Sequence, residues 1–192
     1  MKVVSMRSLV YIALFSALFI VFTTLQIKLS FSPVPITLQT LAFVLAGIFL
    51  KPRAAFLSIF IVIILGAIGL PVFAGKSGLA YIFGPTGGFI FYFPVGALII
   101  SYLTQLGMNF NFNKQTKLLS ITYFATVFIV FGLVMSYVIG IPWFMAVLDM
   151  SFTKALTLAC YPYLLFDFIK MAIAVAIVMT MKKGIQHMRL QQ

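Results

Sequence analysis

LVYIALFSALFIVFTTLQI, residues 9–27, decides the kind of fold. It follows Lys2 and Arg7 and so begins as an export signal would. The apolar stretch of such a signal runs to ~7–15 residues and closes on a small-residue cleavage site. This stretch holds 19 residues and has no such site. It reads as a first transmembrane helix.

The whole chain agrees with that reading. Of its 192 residues, 64% are apolar and 8% charged, with a mean hydropathy of +1.20. Ordinary globular chains are ~45–50% apolar and ~25% charged. A small water-soluble fold leaves too much surface wet to hide this excess. The composition argues against a soluble enzyme, a nucleic-acid binder or a disordered tail. It favours one polytopic membrane domain over residues 1–192. Thirteen Lys and Arg against two acids give a net charge of +11. Because they stand between apolar runs, they read as topology signals facing anionic lipid headgroups, not as a nucleic-acid surface. The single cysteine, Cys160, leaves no intrachain disulfide framework and no Cys-rich metal site.

Working outward, further spans are expected at about 37–50, 54–70, 89–106, 118–140 and 163–181. The second is short for a ~30 Å core at ~1.5 Å per residue and needs tilt or neighbours. Lys51-Pro52-Arg53 breaks the chain before the third. Residues 69–88 hold six glycines, too many for regular helix. Residues 109–117 read as a polar turn, and 141–162, with Trp143, Asp149 and Lys154, as an interfacial loop or short helix. The expected fold is all-α, a polytopic membrane protein with six transmembrane helices.

Six spans put both termini on one side. Taking that side as the cytoplasm places Lys2, Arg7, Lys51, Arg53, Lys114, Lys117, Lys182, Lys183 and Arg189 inside, and Lys28, Lys76 and Lys154 outside. Nine against three is a positive-inside bias, so the expected orientation is N-in, C-in. The Pro/Gly-rich stretches 31–36 and 69–88 then fall on the outer face.

Asp167 and Lys170 are the only charges deep in any span. Their i,i+3 spacing puts both on one helix face. Charges at this depth cost several kcal/mol and normally face a cavity or pair together. They read either as a self-neutralising ion pair or as a polar patch on an outward-facing pocket. A carboxylate accepts from N–H groups and an ammonium donates to a carbonyl, which suits an amide or cyclic urea.

Residues 33–40, PVPITLQT, combine prolines that hold an extended loop with Thr37, Gln39 and Thr40 at membrane depth. These act as helix caps and interfacial groups, or reach the pocket beside Asp167 and Lys170. Ala74-Gly75-Lys76-Ser77 contains the end of a phosphate loop, but the glycine required five positions before Gly75 is Leu70 and no βαβ unit is present. Nucleotide binding is rejected. The segment reads as a lid whose backbone N–H groups suit an anion, with Lys76 pairing a carboxylate or snorkelling to the surface. Tyr81 belongs to an outer group of aromatic residues, mostly belt or core, of which one or two suit an apolar ring. Ala13 and Ala17 offer small residues at four-residue spacing, for internal packing or for a partner helix. His187 sits in the basic tail as a solvated residue. No nucleophile–base pair and no metal cluster is indicated. Lys170 beside Asp167 favours the ionised acid, a poor general base at neutral pH.

Together these pieces resemble the BioY family, the biotin-specific S-components of energy-coupling factor (ECF) vitamin transporters. The matching motifs are PVPITLQT at 33–40, GLPVFAG at 69–75, GPTGG at 84–88 and D-x-x-K at 167–170. The resemblance implies a six-helix S-component fold that captures extracellular biotin in a pocket capped by the first and third loops, with no enzymatic activity and no cofactor. It implies that Asp167 and Lys170 contact the ureido ring. Thr37, Gln39, Lys76, Tyr81, Gly84 and Gly87 complete the candidate substrate-binding set. It further implies a transmembrane coupling subunit docked at Ala13 and Ala17, and two cytoplasmic ATPase subunits. Lys76-Ser77 departs from the more glycine-rich loops of related chains. The alternatives are an S-component for another vitamin, such as thiamin or riboflavin, an intramembrane enzyme using Asp167, or a structural assembly subunit.

Overall fold

Ser5 starts the first helix. It is extended, and its hydroxyl accepts from the Ser8 amide at 3.1 Å, satisfying an otherwise unpaired donor of the first turn. From there α1 runs over Met6–Thr24. The computed structural model describes residues 5–109 and 117–192. Lys2, Lys114 and the polar turn within 110–116 lie outside the described residues.

The first expected span ends early. Gln26–Ile27 (β1) leaves the helix and pairs antiparallel with Ile36–Thr37 (β2), framing the loop that carries Pro33 and Pro35. The helix α2 therefore begins at Gln39 rather than at 37 and runs to Phe49. Its rise of ~16 Å covers about half of a ~30 Å hydrocarbon core. Every residue from Leu41 to Phe49 is buried, so protein surrounds it on all sides. Gly47 lets α5 approach closely, since a Cβ there would lie 2.7 Å from Ile100 Cγ2. Phe43 stacks on Phe93 at 4.9 Å between ring centroids.

Lys51-Pro52 turns the chain, with Pro52 in the first turn of α3, Pro52–Ala67, where its missing N–H costs nothing. Gly69 at φ +103° ends that span before 70. A short helix α4, Leu79–Ile82, precedes α5, Gly87–Asn109, which packs against both α2 and α3. Lys117–Leu148 is one continuous apolar helix made of α6 (Lys117–Val127), a π-helical stretch Phe128–Val134, and α7 (Met135–Leu148). The expected boundary at 140 is thus corrected: 141–148 continues the helix through Pro142, and only α8, Phe152–Ala159, is a short helix of its own. α9, Tyr161–Leu190, begins two residues before the expected span and carries the basic tail as helix, kinked at Met181.

Among the described residues four helices are long and apolar enough to cross a membrane, α1, α5, α6–α7 and α9; α2 and α3 are shorter apolar helices. The start of α1 and the end of α9 lie together. Tyr11 donates to the Gln191 side chain at 3.2 Å and the Lys51 amide to Gln192 Oε1 at 2.8 Å, so these helix ends and the α2–α3 turn share one end. The β1–β2 loop, the glycine-rich segment and α8 gather at the other.

Candidate functional site

At that loop-bearing end a cavity opens, with about 760 Å³ of space including its open mouth. α9 supplies Asp167 and Lys170, each 6% exposed. Lys170 Nζ donates to Asp167 Oδ1 at 2.7 Å. Tyr137, on α7 just beyond the π-helical stretch, donates its hydroxyl to Asp167 Oδ2 at 2.5 Å. Each carboxylate oxygen has one donor and keeps lone-pair capacity for a second, and Lys170 keeps further N–H groups. Mutual pairing offsets the several kcal/mol that either charge alone would cost at this depth.

The N-terminus of α2 forms another wall. Thr37 Oγ1 accepts from the Gln39 amide and donates to Gln39 Oε1, both at 3.3 Å. That leaves the Gln39 side-chain NH₂ as a donor at the cavity, which Thr37, Gln39 and Thr40 all line. Apolar surface comes from Phe73, Phe89, Ile90, Phe93 and Leu133. Phe89 stands edge-on to Tyr137 at 6.0 Å. It also fills the space over Gly140, where a Cβ would come within 2.3 Å of its ring.

Two loops close the mouth. Tyr163 donates to the Val34 carbonyl at 2.5 Å and its hydroxyl lies 2.9 Å from Ser32, while Ser32 donates to the Leu158 carbonyl at 2.7 Å. These contacts tie the first loop to α8 and α9. The other closure is the tight turn Phe73-Ala74-Gly75-Lys76, whose ends exchange backbone hydrogen bonds of 3.2 and 3.0 Å. Its central residues both have positive φ, +52° at Ala74 and +82° at Gly75. Gly75 adopts this without strain, whereas Ala74 does not share that freedom. Tyr81 lines the cavity beneath this turn, and burial pushes its hydroxyl pKa up, opposed by a hydrogen bond from Thr86, so the phenol stays neutral.

Asp167, Lys170, Gln39, Thr37 and Tyr81 therefore converge on one cavity. Lys76, Gly84 and Gly87 do not join its wall. Lys76 is exposed, with Nζ 5.4 Å from the Tyr81 ring centroid. The Gly84 carbonyl accepts from Trp143 Nε1 at 3.0 Å. A Cβ at Gly87 would lie 2.3 Å from the Ile82 carbonyl and 2.9 Å from Trp143 Nε1. These glycines let α4 and α5 close onto α7. Ala13 and Ala17 are exposed on α1, while the neighbouring Ser16 is buried and donates to the Ser58 carbonyl of α3 at 2.6 Å. Sequence reading missed Tyr137; the one signal was a Ser136-Tyr137 polar pair inside an apolar span. Among the described residues no group of three His, Cys, Asp or Glu could hold a metal ion.

A family model described as "BioY family" matches residues 1–187. The chain belongs to the BioY family. A "Probable biotin transporter BioY" of Pyrococcus horikoshii is 41% identical over 164 residues, covering 84% of this chain and 90% of the relative. One of Bacillus subtilis with the same name is 37% identical, covering 86% and 85%. A solved structure described as the S-component for biotin from an ECF-type ABC transporter superposes with a TM-score of 0.78. It is 25% identical and covers 92% of this chain and 90% of that one. With its apolar helices, this BioY chain is a multi-pass protein of the cell membrane, and the family is one of transporter components rather than enzymes.

Proposed function

We propose that this chain is the substrate-capture subunit of a biotin uptake transporter, and that the cavity is its binding site. One observation carries the reading: a buried Asp167–Lys170 pair, steadied by Tyr137, on the wall of a half-apolar cavity in a BioY chain. The ureido ring of biotin presents two N–H donors and one carbonyl acceptor, the complement of a carboxylate beside an ammonium. Its apolar tetrahydrothiophene ring matches the Phe89 and Phe93 side, and its carboxylate tail points toward the mouth, near the Ala74-Gly75 turn and Lys76. Thr37, Gln39 and Tyr81 supply the remaining polar contacts, with Gly84 and Gly87 supporting the loop behind them.

In this reading residues 1–192 form a single membrane domain in which α2 and α3 complete six crossings. Arg7, Lys51, Arg53, Lys117, Lys182, Lys183 and Arg189 belong to the end that carries the termini, against Lys28, Lys76 and Lys154 at the cavity end. The positive-inside rule then sets N-in, C-in, with the cavity facing outward. The exposed Ala13 and Ala17 face is the docking site for a transmembrane coupling subunit, which two cytoplasmic ATPase subunits energise.

Titrating purified protein with biotin, in competition with thiamin and riboflavin, tests the substrate. Tight binding of biotin alone is expected, with loss in Asp167→Asn and Lys170→Ala. Unchanged affinity in both variants overturns the site, and displacement by another vitamin overturns the substrate.

A further inference from the structure

Opposite the cavity, Arg189 is only 6% exposed and gives its guanidinium to neutral groups. Nε donates to the Ile48 carbonyl at 2.9 Å, Nη2 to that of Gly47 at 2.6 Å, and Nη1 to that of Ser101 at 3.2 Å. The C-terminus of α2 offsets about half a unit of charge. No acidic side chain supplies the rest, since Asp149 lies at the end of α7 and Asp167 in the cavity.

A cleft opens beside this guanidinium, between the α2–α3 turn and the ends of α5 and α9. Lys51, Gln105, Asn109, Gln186 and Arg189 give it its polar lining. Two cations and three amides, with no acidic side chain among them, form a donor-rich lining suited to an oxyanion. On α5, Leu98, Tyr102 and Leu106 are exposed at four-residue spacing and so share one helix face leading to Gln105 and Asn109. An apolar strip that runs into a basic cleft matches a molecule with an acyl chain below an anionic head.

We propose that this cleft holds the phosphate headgroup of an anionic phospholipid, with an acyl chain along Leu98, Tyr102 and Leu106. Basic pockets between membrane helices on the cytoplasmic side take such headgroups. Free phosphate shares the headgroup chemistry but makes no use of the strip. The assignment is independent of what the cavity at the opposite end binds.

The test is thermal unfolding of the full chain in neutral detergent, titrated separately with phosphatidylglycerol, phosphatidylcholine and inorganic phosphate. Phosphatidylglycerol is expected to raise Tm saturably, and the other two to leave it unchanged. Lys51→Gln should weaken the phosphatidylglycerol midpoint about five-fold, the effect of one interfacial lysine. Lys183→Gln, at the same end but outside the cleft lining, should leave it within about two-fold. Gln186→Leu, which preserves net charge, should also weaken it and serves if Lys51→Gln fails to fold. Equal stabilisation by the zwitterionic lipid, equal stabilisation by inorganic phosphate, or equal effects of the Lys51 and Lys183 substitutions would each overturn the proposal.

Discussion

Tyr137 on α7 donates its hydroxyl to Asp167 Oδ2 on α9 at 2.5 Å, while Lys170 holds Oδ1 at 2.7 Å. With one donor on each oxygen the carboxylate cannot swing. Its remaining lone pairs therefore face fixed directions before any ligand arrives. Two helices must keep their spacing for this to hold, which makes the pocket's polar wall a product of packing as much as of charge.

Tyr137→Phe removes that hydroxyl and keeps the ring that stands edge-on to Phe89. A hydrogen bond to a charged group contributes about 1.5–3 kcal/mol. Biotin affinity should fall about ten-fold or more, and Tm without ligand should fall as well, since the buried carboxylate loses a donor in both states. Calorimetric titration measures the first and thermal unfolding the second; an unchanged Kd would mean that Tyr137 only fills space.

Lys170→Met leaves Asp167 buried without its cation, a change that costs about 3–5 kcal/mol when a buried pair is broken. Adding Asp167→Asn removes the stranded charge. The double variant should therefore unfold at a higher temperature than Lys170→Met alone, although neither binds biotin. If the two losses simply add, the pair is not self-compensating in the way its geometry suggests.

Gly140→Ala places a methyl within 2.3 Å of the Phe89 ring. Overpacking of this kind costs about 1–3 kcal/mol, and here the displaced ring lines the cavity and touches Tyr137. Biotin binding should weaken about ten-fold. Gly184→Ala, with no atom within 4 Å of its added Cβ, is the control and should leave binding unaltered. Equal effects of the two would disconnect Gly140 from the site.

These expectations mark what one dimension of sequence reveals. Asp167 and Lys170 stand out because charges are rare inside spans and their spacing fixes a shared face. Tyr137 does not, because a tyrosine in a span ordinarily belongs to the belt or the core, and only the approach of α7 to α9 gives it a partner. Residues 141–162 read as an interfacial loop or short helix, yet within a membrane bundle neighbouring groups re-satisfy the backbone freed by Pro142, so α7 continues and brings Trp143 to Gly84. Gly84 and Gly87 carry a motif whose tertiary reason is Trp143, which donates to the Gly84 carbonyl and needs the room that Gly87 leaves. The basic tail shows the same limit: sidedness is legible from charge, but whether an arginine turns inward depends on which carbonyls await it.

Arg189 is where that limit has the clearest energetic consequence. The last carbonyls of a helix lack partners within it, and α2 ends in the protein interior where water does not reach. Arg189 meets the carbonyls of Gly47 and Ile48 together with Ser101. Arg189→Met strands these acceptors at about 1–3 kcal/mol for each buried group left unsatisfied. Arg189→Lys should rescue little, because one ammonium cannot reproduce the planar fork that serves several carbonyls. Both variants should lower Tm by comparable amounts. Since α2 starts at the cavity with Gln39 and ends in this fork, loss of the anchor should also weaken biotin binding, by less than Tyr137→Phe does. Thermal unfolding with and without biotin measures both effects. Full recovery of Tm in Arg189→Lys would show that charge alone, and not the fork, holds the end of α2.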